Sequence, residues 1–213
     1  MLRPPQPSKR ALTGVLLLYA VLTIVQVVVP ALAFKSPDAV AGDAPRASGS
    51  APTATQERVD AAQRAGCDMA GVARRATRAA HIPLYVGCAF LQQETDGGRN
   101  VFGHDPTVFA GAGEVTKAKY LAYREVRERT GQMQGVGPMQ LTWFTYQDRA
   151  DRLGGAWKPY PNMLVGFRHL AALHRSTGSW TAAAHEYNGG GPMAEAYAAQ
   201  MADRLGHMRS AIG

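Results

Sequence analysis

Cysteine is nearly missing from this chain: the 213 residues hold only Cys67 and Cys88, and neither has the CxxC partner that paired-thiol zinc motifs require. Histidine supplies no alternative ligand set. His185-Glu186 is followed four positions on by Gly189, where the zinc-protease helix needs a second histidine, and His169 and His174 are five apart and share no helix face. The six histidines therefore read as surface or hydrogen-bonded residues. No GxxxxGK[ST] phosphate loop and no GxSxG serine elbow occurs either. Neither a metal nor a cofactor is expected.

A basic block is also lacking where nucleic acid would need one. The net charge of +7 and pI near 9.7 suggest a polyanion, but Arg3, Lys9 and Arg10 precede an apolar run and serve a different purpose. Without those three, 20 basic side chains face 16 acidic ones, a mild excess that fits an anionic polymer such as cell-wall material as well as it fits RNA or DNA. No nucleic-acid partner is expected. With 46% hydrophobic residues there is enough apolar surface for one ordinary domain plus a tail, and a monomer is expected.

Residues 11–34 contain no charged side chain and are long enough to cross a bilayer. Basic residues before the run predict a cytoplasmic amino terminus and an exported remainder. Pro30-Ala31-Leu32-Ala33 also resembles a small-residue cleavage site, so signal peptide and uncleaved anchor both stand, the length favouring an anchor. Residues 35–55 are rich in Ala, Pro, Ser, Thr and Gly and read as a linker, leaving 56–213 as the folded domain.

Within that domain one helix organises the rest. Leu84, Cys88, Leu91 and Glu94 lie at helical spacing on one stripe, which places a carboxylate on a face that should be buried. Pro83 and Gly97-Gly98 are start and stop signals. Glu94 then sits in the last turn, where partial burial and the negative helix end both raise its pKa above the roughly 4.3 of free Glu. A solvated Glu at a helix end is the bland alternative. Before it, Thr53 and Gln56 suggest a capping box for a single helix running to Ala80, with a narrow stripe of Val59, Ala62, Gly66, Ala70 and Ala73 for close packing on the Glu94 helix. In an exported domain Cys67 and Cys88 can form a disulfide between these helices; two buried free thiols are the alternative.

Residues 99–135 read as a loop or short hairpin and then a charged amphipathic helix, KAKYLAYREVRERTGQ, whose basic residues form a solvated face. Asp105 on the loop is either a second carboxylate flanking a scissile bond or a turn former ahead of Pro106. Gly135, Gly137 and Pro138 force a turn that lets backbone approach a ligand, with Met139-Gln140 just after it. PYPNMLVGFRHLAALHRSTGSW reads as a helix start and helix that Gly178 stops, and HEYNGGGP at 185–192 ends one helix and precedes a last one through Ile212.

These pieces in this order resemble the lysozyme-like superfamily, in particular the soluble lytic transglycosylase and goose-type lysozyme group. QETDGG at 93–98 is similar to that group's catalytic Glu followed by Ser or Thr; GVGPMQLT at 135–142 to its Gly-x-Met-Gln turn; PNMLVGFRHL at 161–170 to its Asn-containing helix start with a Gly four residues on; HEYNGG at 185–190 to its Tyr-Asn-Gly element. ETDGGRNVFGHD with GVGPMQLT also resembles lysin domains of phages that infect actinobacteria. The resemblance covers about residues 60–210 and implies a mainly α, α+β lysozyme-like fold with a small irregular or hairpin insert.

By position, the resemblance makes Glu94 the catalytic acid. Met139 and Gln140 would line the sugar groove, Tyr187 would hydrogen-bond the Glu94 carboxyl, and Asn188 would contact an acetamido sugar. The gap of about 45 residues between Glu94 and Gln140 exceeds that of compact members and leaves the role of Asp105 open. The implied activity is cleavage of the β-1,4 bond between N-acetylmuramic acid and N-acetylglucosamine in peptidoglycan, with Glu94 as acid and then base. A rival of another class is a non-catalytic, membrane-tethered wall-binding or scaffold protein that keeps the fold.

Overall fold

The computed structural model of the chain describes residues 53–213. The apolar run 11–34 and the linker up to residue 52 lie outside the described residues. Among the described residues no helix is long and apolar enough to cross a membrane.

Among the described residues eight helices form a mainly α unit: α1 (Ala54–Arg64), α2 (Ala70–Ala80), α3 (Leu84–Thr95), α4 (Lys117–Thr130), α5 (Phe144–Arg152), α6 (Pro159–Thr177), α7 (Trp180–Asn188) and α8 (Pro192–Ile212). Among the described residues extended pairing is limited to two isolated antiparallel bridges, Val101 with Glu114 and Phe102 with Val136. The insert is thus an irregular loop with two short bridges. It docks on the core through Phe102, Tyr123 and Phe109, whose rings meet within 5.5–5.9 Å of one another.

The expected single helix from Thr53 to Ala80 is two helices. Gly66 has φ of 89°, a left-handed conformation that ends α1, and Cys67 lies in the turn before α2. Only half of the anticipated capping box forms. Thr53 accepts from the Gln56 amide at 3.2 Å, while the Gln56 side chain donates to Asp60 at 2.7 Å. The break serves the disulfide: Cys67 and Cys88 are bonded, with Cα atoms 5.4 Å apart, and the bridge pins the α1–α2 turn to the middle of α3.

α3 is buried over most of its circumference rather than along one stripe, with Val86 through Leu91 all inside. It packs against α2 on one side and α8 on another; α2 in turn packs on α6, and α7 on both α6 and α8. A helix so enclosed holds its last turn in a fixed place. Its left-handed cap falls on Asp96, φ 49°, one residue before the glycines that signal the stop.

α4 departs from a wholly solvated basic face. Arg127 is buried and donates to Gln147 and Asp148, each at 2.8 Å, while Tyr123 donates to Gln147 at 3.1 Å. Buried polar groups need partners, and Gln147 supplies them between α4 and α5.

Candidate functional site

Glu94 is the penultimate residue of α3, partly buried in the lining of a groove of about 960 Å³. Burial dominates its electrostatics: loss of solvation raises the carboxyl pKa from 4.5 to about 7, opposed by a hydrogen bond from Tyr197. Tyr197, on α8, donates its hydroxyl to Glu94 Oε1 in a short contact. The sequence expectation put this partner at Tyr187. Tyr187 instead donates to the Met139 carbonyl at 2.7 Å, tying α7 to the turn, although it lines the groove and its phenol is held well above its ordinary pKa by burial and by the Glu94 charge.

The 135–141 turn is held by a buried asparagine. Asn162, fully buried in the first turns of α6, accepts from the Met139 amide at 2.9 Å and donates to the Val136 carbonyl at 2.8 Å. It lies so close to Gly137, φ 73°, that a Cβ there would meet Asn162 Nδ2 at 2.5 Å. Gly137 therefore makes room for Asn162 rather than for a ligand. Met139 is likewise not a groove residue, because its side chain is fully buried against Gly166, where a Cβ would meet Met139 Cβ and Cγ at 2.8 Å. Both expectations fail for one reason: the small residues admit the protein's own side chains. Thr95 completes the clamp by donating to the Pro138 carbonyl at 3.0 Å, which joins the end of α3 to the turn beside Glu94.

Gln140, Asp105 and Asn188 do line the groove together with Glu94 and Tyr187. Gln140 adopts φ of 43°, a conformation costly for a residue with a Cβ, and its amide donates to the Val101 and Gly137 carbonyls at 3.1 and 2.9 Å. Its oxygen carries no protein hydrogen bond among the described residues. Asp105 Oδ2 accepts from the Gly135 amide at 2.7 Å, and the Asp105 carbonyl closes a turn onto Thr107 at 2.7 Å. Asp105 is thus a turn former and loop anchor that also faces the groove.

The tyrosine behind Glu94 and three residues that line the groove carry no local motif. Tyr197 lies 103 positions from Glu94, marked only by its place on the buried 197, 201, 205, 208 stripe of α8. Burial and the Arg149 charge lower the pKa of His169, and Tyr146 hydrogen-bonds its ring at 3.2 Å. Trp143, 59% exposed, is the largest apolar side chain lining the groove and leaves an aromatic face open. Among the described residues no three His, Cys, Asp or Glu side chains gather to hold a metal.

The groove joins a proton held near neutral pH, a polar amide turn and an exposed indole. Compared with protein-family models, curated proteins and solved structures, the chain matches none.

Proposed function

We propose that this protein cleaves the β-1,4 glycosidic bond between N-acetylmuramic acid and N-acetylglucosamine in peptidoglycan, with Glu94 as general acid and then general base. The observation that carries the proposal is a carboxyl that lines a groove and whose pKa is raised to about 7. An alkoxide is a poor leaving group, so the bridging oxygen must take a proton as the bond breaks. With its pKa raised to about 7, Glu94 holds a proton near neutral pH and can supply it. Tyr197 orients the carboxyl and stabilises the carboxylate left behind. Gln140 offers its amide oxygen and Asn188 its amide to the acetamido groups, and Trp143 offers a stacking face.

The carboxylate then removes a proton from the attacking hydroxyl. The engagement of Asp105 Oδ2 with Gly135 favours intramolecular attack by the muramyl 6-hydroxyl, which needs one carboxyl only and yields a 1,6-anhydro end. This reading takes the apolar run 11–34 as the segment that exports or anchors the domain facing the wall.

Mass spectrometry of muropeptides released from purified peptidoglycan is the test. Anhydro ends are expected, with a loss of roughly 10³-fold or more in Glu94→Gln. Reducing ends, together with a large loss in Asp105→Asn, would replace the transglycosylase route by hydrolysis. Wall binding without soluble products between about pH 4 and pH 8 would leave a non-catalytic wall-binding protein.

A further inference from the structure

A second cavity, of about 330 Å³, adjoins the groove at His169. Its charged lining is Arg149 and Arg152 from α5 and Arg168 from α6, and its apolar lining is Leu153, Val165 and Ala172. The arrangement follows from how α5 divides its charges. Asp148 pairs with Arg127 at 2.8 Å, and Asp151 takes hydrogen bonds from Tyr120 at 2.9 Å and from the Ala156 amide at 2.9 Å, with Arg124 at 3.4 Å. Both acids of the helix are therefore spent toward α4 and the following loop. The two arginines are left toward α6, where Arg168 meets them at the same cavity.

Among the described residues no carboxylate lies within ion-pairing distance of these three arginines. Gathering three cations at one concavity costs Coulomb energy that a bound anion returns. Guanidinium groups suit a carboxylate because their paired N–H donors match its two oxygens. The apolar wall suits an aliphatic side chain next to that carboxylate, which a phosphate-rich polymer does not carry. Arg149 also lies over the Tyr146 ring, 5.3 Å from its centroid, and Tyr146 lines the groove, so the two cavities share a wall.

We infer that this cavity binds a carboxylate of the peptide attached to the muramyl sugar, so that the protein reads peptide-bearing glycan in preference to bare glycan. The inference rests on the proposed wall-glycan activity for its choice of ligand. His169 lines both cavities, so a peptide hung on a sugar in the groove has the arginine cavity beside it.

The test uses the full chain and two readouts. In the first, calorimetry measures binding of the tripeptide L-alanyl-γ-D-glutamyl-L-lysine, of its carboxamide form, and of a glycerol phosphate oligomer. In the second, kcat/KM is measured on peptide-bearing glycan and on glycan stripped of peptide by an amidase. The acid tripeptide is expected to bind wild type, with roughly tenfold weaker binding for each arginine lost in R152Q/R168Q and for the carboxamide. The same variant should lose kcat/KM on peptide-bearing glycan by that factor and keep it on stripped glycan. Both arginines are exposed and unpaired among the described residues, so an unchanged melting temperature is expected, and R152K/R168K should recover part of the binding. Equal binding of acid and carboxamide, equal loss on both glycans, or tighter binding of the phosphate oligomer would overturn the inference. Turnover of stripped glycan without tripeptide binding removes this inference alone. Tripeptide binding without turnover of either glycan removes the cleavage proposal alone.

Discussion

Glu94 couples the protein's pH response to its proposed chemistry. Its folded pKa of about 7 exceeds the unfolded 4.5, so the folded state binds the extra proton between those values. The resulting stability is fully present below pH 4.5 and lost as pH rises through 7, up to roughly 3 kcal/mol. A general acid must also be protonated to act, so turnover should fall about tenfold per pH unit above the Glu94 pKa. Glu94→Gln should therefore abolish turnover yet melt several degrees higher than wild type at pH 8, with little difference at pH 4.5, as read by calorimetry at both pH values. Equal melting differences at the two pH values would mean the carboxyl is not held protonated. Tyr197 opposes the rise by donating to the carboxylate. Tyr197→Phe should shift the alkaline limb of the rate profile upward and lower kcat by roughly 10- to 100-fold, measured on soluble glycan fragments.

At the scale of elements, the site depends on how α3, α6 and the 135–141 turn are clamped together. Asn162 and Gly166, four residues apart on α6, do the clamping, one by hydrogen bonds to the turn backbone and one by admitting the Met139 side chain. Gly166→Ala tests the clamp, because two effects oppose each other. Alanine ordinarily favours a helix interior by roughly 0.5–1 kcal/mol. Here its Cβ would stand 2.8 Å from Met139 Cβ, an overpacking that costs about 1–3 kcal/mol. A net loss of stability with a fall in kcat is expected, measured by urea unfolding and turnover. A gain in stability with unchanged turnover would show the turn to be held elsewhere. The order QETDGG, GVGPMQLT, PNMLVGFRHL pointed in the sequence to segments that the structure brings into contact. Who touches whom was not legible, since Gly137 and Met139 looked outward to a ligand and in fact face Asn162 and Gly166.

For the whole molecule, one covalent link ties the amino-terminal helices to the centre. The Cys67–Cys88 bridge spans 21 positions and should contribute roughly 3 kcal/mol by restricting the unfolded chain. Reduction, or replacement of both cysteines by serine, should lower the melting temperature by about 6–12 °C. If only α1 and the 65–69 turn lose amide-exchange protection, the bridge holds the periphery; if α3 loosens as well, the site depends on it and turnover falls together with stability.

The amino-acid sequence by itself determined the helix that bears the acid, the stop of α6 and the position of the acid, but not the break between α1 and α2. Those follow from local rules: apolar spacing at 84, 88 and 91, a proline before and glycines after, Gly178 closing α6, and two cysteines 21 residues apart. Only the tertiary structure decided which tyrosine holds Glu94, that Asp105 anchors Gly135, and that three arginines from two helices meet beside His169. Each of these joins residues distant along the chain or on different helices, and the angle at which packed helices cross sets them, which no spacing within one segment encodes.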